Sequence, residues 1–181
     1  MDISLDELRK LAAEAGMTEC GTVNVADVNF SHEVRKMCEA DVCRKYGRTW
    51  ACPPAVGTIE ECRDKCRRYR TLLLFSRKRE IEDSFDFEGM EEAAREFKRA
   101  ARKFEALIKP RFSHYLMLSN EGCGECTACA YPEPCRLPGR AHGSIEAYGI
   151  MVSETAAAAG IKYINGPNTV TYFGGLFYDL L

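Results

Sequence analysis

Three thiols recur at two-residue gaps in Cys123-Gly-Glu-Cys126-Thr-Ala-Cys129, and Cys135 follows after five more residues. Such spacing lets one tight loop curl around a cuboidal cargo and present three thiolates to three irons, while a ligand slightly further along reaches the fourth. Gly122 and Gly124 allow positive φ and close backbone approach to inorganic sulfide. A ferredoxin run more often has three residues before its last cysteine, which then commonly ligates a neighbouring cluster. The longer gap here leaves open whether Cys135 serves this cluster or another. Zinc is the main alternative, since four thiolates make a good tetrahedral site, but zinc ribbons draw two ligands from each of two separated knuckles. Three cysteines in one short loop crowd a single tetrahedron.

The chain has ten cysteines. Its first residues, Met1 to Leu8, form an acidic, amphipathic start rather than a basic segment followed by an apolar export signal. A cytoplasmic location is therefore expected, where thiols stay reduced and metal ligation explains the cysteines better than disulfides.

A second group reads Cys38-x4-Cys43-x8-Cys52, with Pro53 and Pro54 directly after it and Gly47 available for a turn. Its three thiolates suit three irons of a second 4Fe-4S cluster. The fourth position is then open to water or a substrate, or is closed by Cys20, Cys62 or Cys66. Helical register alone also explains Cys62 and Cys66 as small buried hydrophobes. Trp50, the only tryptophan, is expected to pack beside this loop as core or as a water shield. His142 reads as an exposed loop histidine, and Arg136 and Arg140 suit a role in offsetting cluster charge.

A length of 181 residues with 46% hydrophobic content suffices for one well-buried domain over residues 1–181, carrying cysteine-rich loops at 38–54 and 122–138. The 25 basic and 27 acidic residues are interspersed and give a net charge of -2, so no sustained positive field is offered to nucleic acid. No run approaches the roughly 20 apolar residues that span a bilayer. Phosphate-loop, dinucleotide-glycine and nucleophile-elbow motifs are missing.

Capping boxes at Ser4/Glu7 and Thr58/Glu61 open two helices, the first carrying Leu5, Leu8, Leu11, Ala12 and Ala15 on one face, the second Ile59, Cys62, Cys66 and Tyr69. A longer helix runs from Glu88 to Lys109 with Met90, Ala94, Phe97, Ala101, Phe104 and Ile108 inward. Its Arg95, Lys98, Arg99, Arg102 and Lys103 read as a solvated, salt-bridged outer face. Ser144 is expected to cap a last helix reaching Ala159. Strands are expected at Cys20 to Val25, Leu72 to Phe75, His114 to Leu118 and Thr169 to Phe177. The fold class is thus α/β or α+β, a central mixed sheet of about four strands flanked by helices.

Cys38-x4-Cys43-x2-Tyr46-Gly47-x2-Trp50-x-Cys52-Pro53-Pro54, Cys123-x2-Cys126-x2-Cys129-x-Tyr131-Pro132, Pro134-Cys135-Arg136-x-Pro138 and Ser144-x-Glu146-Ala147-Tyr148-Gly149-Ile150 together carry a resemblance over almost the whole chain. The chain resembles a family of uncharacterised, cysteine-rich, predicted metal-binding proteins of anaerobic bacteria and archaea. The resemblance implies metal binding through both cysteine groups, and favours Cys38, Cys43 and Cys52 over Cys20. It implies no reaction. The leading expectation is an iron-sulfur protein with one or two 4Fe-4S clusters that exchanges electrons with a partner redox enzyme. The alternatives are an enzyme that binds a small substrate or sulfide at an open iron of the Cys38, Cys43 and Cys52 cluster, and a zinc-stabilised structural or interaction protein.

Overall fold

The computed structural model describes residues 3–179. Helix α1 (Leu5–Ala15) leads into strand β1 (Glu19–Asn24), then come α2 (His32–Glu39), α3 (Ile59–Cys66), β2 (Thr71–Glu80), α4 (Phe87–Ile108), β3 (Leu116–Ser119), β4 (Gly143–Ser144), α5 (Val152–Ala158) and β5 (Thr169–Tyr178). The strands form one mixed sheet in the order β1-β2-β5-β3-β4, antiparallel except for the parallel β3–β4 pair. The α/β class is as expected. The fifth strand, β4, is only two residues long and leaves no pattern in the sequence.

The run Leu72-Leu73-Leu74-Phe75 is fully buried because the sheet is covered on both faces. Leu72 and Leu74 point into a core with Val25, Cys62, Cys66, Ile145, Ala156 and Phe177. Leu73 and Phe75 point into the opposite core, with Leu8 and Ala12 of α1 and Phe97 and Phe104 of α4. The alternation of side chains along a strand sends neighbours to different layers, and each must find apolar cover. Gly21 belongs to this packing, since a Cβ there would lie 2.0 Å from the carbonyl oxygen of Ala159, just past α5.

Local signals hold unevenly. Thr58 and Glu61 complete their capping box, with Thr58 N donating to Glu61 Oε2 at 2.8 Å and Glu61 N to Thr58 Oγ1 at 3.2 Å. At α1 only half of the box forms: Ser4 Oγ accepts from Glu7 N, while the Glu7 carboxylate pairs with Arg111 at 2.8 Å. A charged tertiary partner outcompetes the local one. The helix expected from Ser144 is also different. Ser144 lies in β4, its Oγ accepts from Ala147 N at 3.0 Å, and the single turn it opens stops at Gly149, whose φ is 75°. Helix α5 starts only at Val152. Among the described residues no helix is long and apolar enough to cross a membrane.

Candidate metal centre

Both cysteine loops are rooted at one edge of the sheet. Residues 120–142 leave the end of β3 and return at β4, where Leu118 pairs with Gly143 and Ser119 with Ser144. That short parallel pair clamps the excursion at its base. The earlier loop is tied to the same place, because Ser144 N donates to Ala51 O at 3.1 Å. Ala51 is buried, so Cys52 is fixed beside the start of the second loop.

Cys123, Cys126, Cys129 and Cys135 line one cavity of about 130 Å³. Its wall also contains the cations Lys45, Lys98 and Arg136 and the carboxylates Glu121 and Glu125. Trp50 crosses from the first loop to close it: the indole Nε1 donates to Glu133 O at 2.9 Å and the ring meets Tyr131 edge-on at 5.1 Å. The tryptophan therefore shields the second cysteine group rather than only its own loop. Burial pushes the Cys123 thiol up, and the nearby Arg102 guanidinium pulls it back in part.

The wall depends on α4. Arg95 and Arg99 pair with Glu91 and Glu92 as a solvated face should. Lys98 and Arg102, expected on that face, instead turn to the cysteine loop. Lys98 Nζ donates to Glu121 O at 2.6 Å, and burial lowers its pKa. Arg102 pairs with Glu125 and donates to Arg140 O at 2.7 Å, and Arg140 holds the other Glu125 oxygen at 2.8 Å. Of the two arginines expected to offset cluster charge, Arg136 lines the cavity while Arg140 is engaged with Glu125. His142 is buried, not exposed, with Nε2 2.9 Å from Glu105 of α4. Helical spacing showed that these α4 residues face away from the core; it carried no sign that a loop would fold over them.

Cys38, Cys43 and Cys52 line a second cavity, of about 220 Å³, together with Tyr46, Pro53, Glu121, Ser144 and Glu146. Cys38 lies in the last turn of α2, whose N-cap is Ser31, and the turns that follow are pinned by Asp41, whose carboxylate accepts from Tyr46 N at 2.9 Å. Gly47 N then donates to Pro53 O at 2.8 Å, which brings Cys52 back toward Cys38. Burial, with Glu146 and the neighbouring thiols adding to it, pushes Cys38 up to about 11. Burial also raises Cys52, against hydrogen bonds from Thr49 and the Gly122 backbone. The Glu146 carboxyl is pushed up to about 7 by loss of water, and its Oε2 is shielded from solvent with no hydrogen-bond partner.

The two cavities touch. Glu121 lines both, and a Cβ on Gly122 would lie 3.9 Å from Cys52 Sγ. Glu121 and Gly122 have φ of 23° and 54°, a backbone excursion that carries the chain between the two thiol groups. Cys62 and Cys66 line neither cavity; both are fully buried under the sheet, as their helical register allowed. Cys20 lines a separate pocket with Arg9 and Met17.

Among the described residues no three His, Cys, Asp or Glu side chains converge on a point as a single ion requires. The thiols are spread around two spaces instead. Thiol donors in both spaces, with cations on one wall and an unpartnered buried carboxylate oxygen on another, make a donor set that suits metal. No match is found among curated proteins, and none among solved structures. A family model described as Predicted metal-binding protein (DUF2284) matches residues 21–178, which contain both thiol-lined cavities, and the chain belongs to that family.

Proposed function

We propose that this protein is an iron-sulfur electron carrier with two 4Fe-4S clusters, one held by Cys123, Cys126, Cys129 and Cys135, the other by Cys38, Cys43 and Cys52. The observation that carries the reading is the shared wall: the two groups line adjacent cavities separated by Glu121 and Gly122. Electron exchange needs short distances, and a common wall supplies one. A 4Fe-4S cluster contributes a one-electron couple whose potential depends on ligands, hydrogen bonds and solvent exposure.

The chain's own residues set those conditions. Lys45, Lys98 and Arg136 oppose the negative charge of four thiolates and favour the reduced state there. Trp50 and Tyr131 exclude water. Met37 and Val42, next to Cys38 and Cys43, are 72% and 87% exposed. They offer an apolar rim where a partner redox protein can approach the second centre.

Anaerobic purification with iron, acid-labile sulfide and zinc analysis tests the reading. About eight irons and eight sulfides per chain, with a visible absorbance that bleaches on reduction, are expected for two cubanes. Colourless protein holding stoichiometric zinc overturns it.

A further inference from the structure

We propose that Glu146 is the fourth ligand of the Cys38, Cys43 and Cys52 centre, which makes that centre a three-thiolate, one-carboxylate site. The inference rests on the two-cluster reading above and goes beyond it by naming the missing ligand.

Three cysteines leave one iron of a cubane without protein ligation. The sequence offers Cys20, Cys62 and Cys66 as candidates, and the fold removes all three from the cavity: Cys62 and Cys66 are locked in the core beneath the sheet, and Cys20 lines a different pocket. Among the cavity's lining residues, only Glu121 and Glu146 remain as carboxylates. Glu121 is an exposed residue at the junction of the two cavities. Glu146 has an oxygen, Oε2, with neither solvent nor a hydrogen-bond partner. A buried carboxylate oxygen without a partner is destabilising unless something else satisfies it. A metal in the cavity does so.

The local structure holds Glu146 in place. The turn from Ser144 to Gly149 is fixed by Ser144 Oγ accepting from Ala147 N and by Ser31 N donating to Gly149 O at 2.6 Å. Arg35, buried on α2 three residues before Cys38, donates to Ala147 O and to Gly57 O. The same helix thus carries Cys38 and clamps the turn that carries Glu146. A Cβ at Gly149 would lie 2.6 Å from Ile59 Cδ1, so the turn cannot be rebuilt freely. Oxygen is a harder donor than thiolate, and an iron held this way differs from its three neighbours in field and exchange lability.

The test uses the full chain, purified and reconstituted anaerobically, with iron content and electron paramagnetic resonance as readouts. Glu146→Gln is expected to lower bound iron from about eight to about seven per chain and to give a three-iron signal, with the other cluster unchanged. Glu146→Cys is expected to restore about eight irons with an altered spectrum. Unchanged iron content and spectra in both variants overturn the assignment of Glu146. A Cys38→Ser variant with the same iron content as the wild-type chain shows instead that the second cluster itself is wrong. Should Glu146→Gln keep all its iron but lose a spectral response to added cyanide or sulfide, Glu146 serves an open iron and is not its ligand.

Discussion

The two thiol-lined cavities sit side by side yet differ in charge: one wall mixes cations with carboxylates, the other carries carboxylates and no cation. Around Cys123, Cys126, Cys129 and Cys135 the wall brings Lys45, Lys98 and Arg136 against Glu121 and Glu125; around Cys38, Cys43 and Cys52 it brings only Glu121 and Glu146. Four thiolates in the first need cations to relieve their mutual repulsion. Three thiols in the second face carboxylates, so under the two-cluster proposal the metal would supply the compensating charge. On that proposal the first cavity is organised in advance of loading, whereas the second would depend on loading for its electrostatic balance. Adjacency therefore does not make the centres equivalent, and their potentials and labilities are expected to differ.

The largest effect expected comes from removing single thiols. Cys123→Ser and Cys38→Ser should each remove about half of the bound iron, and the two losses should be separable by spectroscopy. Loss of all iron from either variant would break the comparison, because the cavities would then form one unit.

Loading should also depend on pH, and at any given pH the second centre should be the harder to fill. Cys38 is pushed up to about 11 by burial, Glu146 and neighbouring thiols, so at neutral pH its proton must leave before metal binds. Protons compete with metal, so lowering pH weakens loading and raising pH strengthens it. Reconstitution between about pH 6.5 and 8.5 should show the Cys38 centre filling more slowly at the acid end. Equal filling of both centres at every pH in that range would remove the electrostatic distinction.

Trp50→Ala deletes the indole contact to Tyr131 and the hydrogen bond to Glu133 that join the loops. It should cost about 2 kcal/mol in denaturant unfolding, below the range for fully buried aromatics because the side chain is half-buried. Bleaching by air should speed up first at the Cys123 centre. Lys98→Met leaves the packing of α4 in place and removes a cation, and it should make the potential of that centre more negative by about 50 mV, equivalent to roughly 1 kcal/mol. A shift confined to the Cys38 centre would reverse the charge assignment. Smallest of all, Cys66→Ala should leave iron content untouched and lower stability by about 1 kcal/mol, the effect of a small core truncation.

Much of the frame was legible in the chain because it rests on short-range periodicity. The apolar stripe of α4, the Thr58 and Glu61 box and the four-residue run in β2 each follow from spacing and backbone chemistry. Strand β4 was not legible: its two residues pair with β3 only because the intervening loop returns to the same sheet edge. Ser144 misled for the same reason, since a serine followed by a turn reads as a helix cap until Gly149 stops it.

By itself the sequence grouped the thiols into two sets by their spacing, and each set lines its own cavity. It also separated the core thiols Cys62 and Cys66, whose helical register sends them inward. Only the tertiary structure decided what surrounds the donors. Lys98 and Arg102 reach the second loop across a helix face that periodicity marks as solvent, and Glu146 reaches the first loop from a turn more than ninety positions further along. Charge compensation acts through space, and no local pattern records which distant side chain will close a cavity.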